Sequence, residues 1–257
     1  MRTLKIVVLA AMLATAAVAY TSDIPLPDIP LNDTRLTIHT LVREDIFAGF
    51  LANDLERLSR AEKNIDVLLE KRPKEKPELL AWKAGAMLNR AVLAYEKKQP
   101  AEFEQKYKQS LALFAEAQQL APGRDGVAAV TGGSYVVFAD RLPKEHRAAA
   151  WEAAYQSFQV LWAQQGPIID KLPVHLRGEV LGGLAQAAIR TGRSKEANEY
   201  LDKILIVLPN TPYEPIAKQW KANPKAAENS SITCMSCHEP GRLEDRLTKL
   251  NGDKPKQ

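Results

Sequence analysis

The sequence predicts an all-α fold, an array of antiparallel helical hairpins followed by a short C-terminal tail. Three observations carry that expectation. The strong helix formers Ala, Leu, Lys, Glu and Gln abound in the 257-residue chain, whereas Gly, at 13 residues, is sparse. From 39 to 221, amphipathic segments with helical spacing follow one another, separated by Pro, Gly or charged turns. No run of alternating apolar and polar residues marks a strand.

The N-terminus reads "MRTLKIVVLAAMLATAAVAY", with Arg2 and Lys5 ahead of an apolar run from Ile6 to Ala19 that ends Ala17-Val18-Ala19. A basic head, a short apolar middle and a small-residue cleavage site predict a secretory signal over 1–19. The run falls short of the roughly 20 residues a permanent membrane span needs, and no other segment approaches that length. Export to a bacterial periplasm is the expected localisation. Lys and Arg number 35 against 31 Asp and Glu, and losing Arg2 and Lys5 brings the surface nearer to balance. That excludes a basic nucleic-acid-binding surface.

Residues 20–38 follow, and Pro25, Pro27 and Pro30 within them predict an extended linker without helix. In the hairpin region two segments share a register. Gly49, Ala61 and Pro73 are twelve residues apart in turn, and Ala185, Ala197 and Pro209 repeat both steps. Ile65 and Leu201 each stand four residues after the middle alanine, and Gly192 marks the later turn. Small residues at these points let two helices approach closely, and the proline ends the second helix. The segments resemble tetratricopeptide repeats, whose helix-turn-helix unit is about 34 residues long. Between them, Trp82 and then Phe114, Ala117 and Pro122 fit a third unit with an enlarged first helix and turn, and "GVAAVTGGSYVVFADRLP" opens a fourth, degenerate one. The resemblance implies a solenoid over 39–221; a generic array of helical hairpins is the alternative. "PYEPIAKQWKA" predicts a capping helix.

Over 222–257 the composition predicts a flexible linker, "NPKAAENSS", then "TCMSCHEPG", then a charged helix, "LEDRLTKLNG". The chain's two cysteines, Cys234 and Cys237, are followed by His238. The Cys-x-x-Cys-His spacing suits haem attachment, in which each thiol adds to one vinyl group and the imidazole meets the iron. On these five residues, 234–238, the tail resembles c-type cytochromes. The resemblance implies one covalent haem c, with thioether bonds from Cys234 and Cys237 and His238 as axial iron ligand. Unlike a small cytochrome c domain, this chain places only nineteen residues after His238, none of them Met or His. The macrocycle is therefore expected to pack on the helical array or on a partner protein, because its apolar face is unfavourable in water.

Candidate sixth ligands are His175, Met87 and His146, with His39 near the start of the array. Each has a plainer reading: Met87 as core filler, His146 as a solvated residue at a helix start. Other chemistries for the cysteines are a redox dithiol, part of a zinc site and a small disulfide loop. "TGGSY", Thr131 to Tyr135, lacks the spacing of a phosphate loop, so Gly132 and Gly133 predict close helix packing. The aromatics Trp82, Tyr135, Phe138, Trp151, Tyr155, Phe158 and Trp162 fit helix-packing stripes, and some of them are expected to line a concave groove. No catalytic set stands out. The expected function is electron transfer by an exported monohaem protein that docks a redox partner on its solenoid. The alternative is a periplasmic interaction scaffold without haem, whose cysteine pair is redox-active or structural; a haem sensor or peroxidase-like site is a third.

Overall fold

A computed structural model describes residues 28–233 and 242–252, and among them there are α-helices and short 3-10 turns but no strand. The signal segment 1–19, residues 20–27, and Cys234, Cys237 and His238 lie outside the described residues.

Eight helices form four hairpins: α1 (Ile38–Ala52) with α2 (Leu55–Lys71), α3 (Lys76–Glu96) with α4 (Pro100–Leu120), α5 (Asp125–Phe138) with α6 (Lys144–Gln165), and α7 (Val174–Arg190) with α8 (Ser194–Val207). Short connections force each pair to run antiparallel. Between α1 and α2 stand only Asn53, in the left-handed region at φ 56°, and Asp54, whose carboxylate caps α2 by accepting Arg57 N at 3.0 Å. Gly192, at φ +76°, makes the corresponding α7–α8 turn without a side-chain penalty. The enlarged third unit owes its length to its helices, 21 residues each, because the turn between them is only residues 97–99.

The shared register has a packing cause. A Cβ on Gly49 would stand 2.7 Å from Leu58 Cβ, so glycine lets α1 and α2 close on each other. Ala61, Ala185 and Ala197 are buried in the same way in their hairpins. The first hairpin is also pinned electrostatically: Asp45 on α1, 1% exposed, accepts from Arg57 Nε at 2.8 Å and from Arg60 Nε at 2.6 Å. Partnering on both sides is what makes a buried carboxylate tolerable.

The first helices α1, α3, α5 and α7 lie side by side as one layer, each packed on the next. The short helix α9 (Tyr213–Ala222) packs on α8 and buries Tyr213 and Trp220. Burying side chains of this size stabilises the array by about 1.5–3 kcal/mol each. No helix among the described residues is long and apolar enough to cross a membrane.

Two stretches expected to be linkers are packed. Residues 28–37 are non-helical, as their proline requires, yet Leu36 is buried and Arg72 donates to the carbonyls of Leu36 (2.8 Å), Asp33 (2.8 Å) and Leu31 (3.2 Å). The tail after α9 is held to α7. Arg190 donates to the carbonyls of Ala227 and Glu228, Ala227 and Ile232 are fully buried, and Trp220 Nε1 donates to Ser230 Oγ at 2.9 Å. The segment read as a mobile linker forms a 3-10 helix, Pro224–Asn229, packed on α7. The last helix, α10 (Arg242–Gly252), rests against α1.

Candidate functional site: a cavity on the first-helix layer

The four first helices share one cavity of about 380 Å³, within the roughly 300–1,000 Å³ of ligand pockets. Helical spacing explains how each contributes. On α1, His39, Arg43 and Phe47 recur every four residues and so share a face; on α3, Glu78 and Trp82 do the same. On α7, His175 and Glu179 are one turn apart and both face the cavity with Leu176. Helix α5 supplies Val130 and Gly133, and a Cβ on Gly133 would meet nothing within 4 Å. Gly132, its neighbour, has the packing role expected of it, since a Cβ there would stand 3.0 Å from Phe158. The two glycines thus divide the work: one seats a helix, the other keeps the cavity open.

Apolar surface dominates the walls. The Trp82 ring lies 5.4 Å from the His39 ring and 6.0 Å, edge-on, from Phe47. Charged groups sit among them. Glu78 pairs with Arg124 at 3.0 Å. Glu179 Oε2 is 3.9 Å from His175 Nε2. Burial against the cavity walls pushes the Glu179 carboxyl up to about 7, a rise that the charge of Arg43 opposes. A quarter of its side chain, 26%, stays accessible toward the cavity.

Of the histidines and the methionine singled out from the sequence, the cavity brings together His175 and His39. Met87 is on α3 but not among the lining residues. His146 stands away from the cavity, half-buried with its ring 4.7 Å from Tyr107 and 5.6 Å from Phe103, so it is an aromatic-cluster residue and not a solvated one. Among the large aromatics, Trp82 lines the cavity, whereas Trp151, Tyr155 and Trp162 do not. Tyr155 belongs to a seam that ties α6 to α8: it donates to Glu196, and Gln159 Nε2 donates to the hydroxyls of Tyr155 (2.6 Å) and Tyr200 (2.8 Å).

The described residues that flank the motif pack on α7 and α1. Gln186 Oε1 on α7 accepts from Ser231 Oγ at 2.9 Å and from Ile232 N at 3.2 Å. A Cβ on Gly182, one turn beyond Glu179, would meet the Ile232 carbonyl oxygen at 3.1 Å and Thr233 Cγ2 at 3.4 Å. On the other side, Leu243 N donates to Glu44 Oε2 at 3.2 Å, and Glu44 adjoins Arg43 on α1.

No protein-family model, no curated protein and no solved structure matches the chain. Its chemistry has to be read from its own residues. Among the described residues no group of three or more His, Cys, Asp or Glu could hold a metal ion. The cavity offers an open face at Gly133, an aromatic wall and the charge of Arg43 acting on the Glu179 carboxyl.

Glu179 and Arg43 were not singled out from the sequence, and Gly133, expected to permit close helix packing, instead borders open space. The one available signal was spacing: a carboxylate four residues after a histidine shares its helical face.

Proposed function

We propose that the chain is an exported c-type cytochrome: a tetratricopeptide-like solenoid that carries one covalent haem on its C-terminal tail and transfers electrons to a periplasmic partner docked on the helices. The observation that carries this reading is the spacing of Cys234, Cys237 and His238; the anchoring of their flanking residues to α7 and α1 supports it. The hairpin packing at Gly49, Ala61, Ala185 and Ala197 supports the solenoid part.

Each residue has a distinct task in this reading. Cys234 and Cys237 would hold the haem covalently, and the His238 imidazole would be a donor to its iron. Bound there, the haem supplies a one-electron ferrous/ferric couple. The protein would tune its potential through the donors it offers the iron and through how far apolar surface excludes water.

Expression with haem-maturation machinery tests the reading. The chain, denatured and washed, should keep a haem spectrum, and a Cys234→Ser/Cys237→Ser double variant should lose it. A washed chain free of haem, with two reactive thiols, points to the interaction scaffold instead.

A further inference from the structure

We propose that the cavity bounded by α1, α3, α5 and α7 is a binding site for a neutral, flat aromatic molecule of two or three fused rings, a property of the helical array that stands apart from the cytochrome reading.

Size sets the first limit. The cavity measures about 380 Å³. An apolar protein cavity of about 150 Å³ stays dry and accepts one benzene ring, so this one has room for a fused ring system. Its wall is lowest along α5, where Ala129 and Gly133 stand one turn apart and a Cβ on Gly133 would meet nothing within 4 Å. Phe47 and Leu176, both half-buried, line it from α1 and α7. Trp82 closes the α3 side, and its ring meets the Phe47 ring edge-on at 90° with centroids 6.0 Å apart. Two rings at right angles form a corner in which a third flat ring can stack on one and turn its edge to the other, the two arrangements that the aromatic quadrupole favours.

The polar groups of the wall select against charge. Glu78 is paired with Arg124 at 3.0 Å, the Ser134 hydroxyl donates to the Val130 carbonyl at 2.7 Å, and Glu179 Oε2 lies 3.9 Å from His175 Nε2. His39, Arg43 and His175 are likewise engaged. A ligand's ammonium or carboxylate would therefore have to displace one of these partners or stay unpaired among apolar side chains, and burying an unpaired charge is far costlier than burying a neutral ring. Binding gains instead from apolar area removed from water.

Titration calorimetry of the full chain tests this with three probes that share one ring system and differ in charge: neutral indole, cationic tryptamine and anionic indole-3-acetate. Indole should bind one to one with a negative heat-capacity change, the mark of apolar burial. The two charged probes should bind at least about tenfold more weakly. Gly133→Leu and Ala129→Leu each put a branched side chain into the space from a different point on α5, so loss of the fold in one leaves the other to report. Each should keep the helical circular dichroism of wild type and weaken indole by at least about tenfold. Unchanged indole affinity in a folded filling variant overturns the site. Tryptamine or indole-3-acetate binding as tightly as indole overturns the ligand class, and failure of wild type to bind indole overturns the inference as a whole.

Discussion

Gln186 on α7 accepts the backbone N–H of Ile232, two residues before Cys234, at 3.2 Å. The contact matters because Ile232 is fully buried and Gln186 is 2% exposed, so neither group has water as an alternative partner. It is the point at which the tail is committed to the helical array.

Gln186→Leu should therefore destabilise the fold by about 1–3 kcal/mol, the cost of leaving a buried donor unpaired. Urea denaturation followed by circular dichroism measures this. Ser231→Ala, which removes the hydroxyl that donates to the same oxygen at 2.9 Å and accepts the Thr233 N–H at 3.3 Å, should also destabilise the tail. Equal stabilities for the Gln186 variant and wild type would mean that the tail is not held there.

Gly183 and Gly133 should respond in opposite directions to alanine. A Cβ on Gly183 would stand 2.3 Å from the Phe158 ring, which is itself fully buried and cannot withdraw. Gly183→Ala is expected to cost about 1–3 kcal/mol. At Gly133 the new methyl group has open space, so Gly133→Ala should gain roughly 0.5–1 kcal/mol from helix propensity. Thermal melts of the two variants check the pair, and a shift of the same sign in both would contradict the packing described for α5 and α7.

Stability should carry a pH dependence that traces to Glu179. Its carboxyl is raised from 4.5 to about 7 by burial, so between those values the folded chain holds a proton that the unfolded chain has released. Unfolding stability then falls as pH rises through this window. The favourable contribution is complete below about pH 4.5 and lost above about pH 7, a span on the order of 3 kcal/mol. Glu179→Gln cannot ionise. Its melting temperature relative to wild type should climb between pH 4.5 and 7.5, and a constant difference across that range would rule out a buried, titrating carboxyl.

The helical hairpins were legible because helix periodicity, turn residues and small-residue spacing are local signals. Gly49 facing Leu58 and Gly192 at its turn are where a twelve-residue register and a left-handed turn require them. The tail was less legible. "NPKAAENSS" has a linker's composition, and only the distant Arg190 and Gln186 turn it into a bound segment. The cavity was legible in part. His175 could be nominated as a lone histidine at a helix start, but its meeting with His39 depends on how successive hairpins stack, and stacking leaves no mark on either residue's neighbours. Residues 28–37 teach the same lesson, since prolines announce the absence of helix and say nothing of the Arg72 that binds the segment.

The most direct test of the central claim is an intact mass spectrum of the chain exported from cells with haem-maturation machinery. The expected mass is that of residues 20–257 plus one haem, unchanged by reduction and with no thiol left to alkylate. A mass without the adduct, with Cys234 and Cys237 both alkylated after reduction, would contradict it.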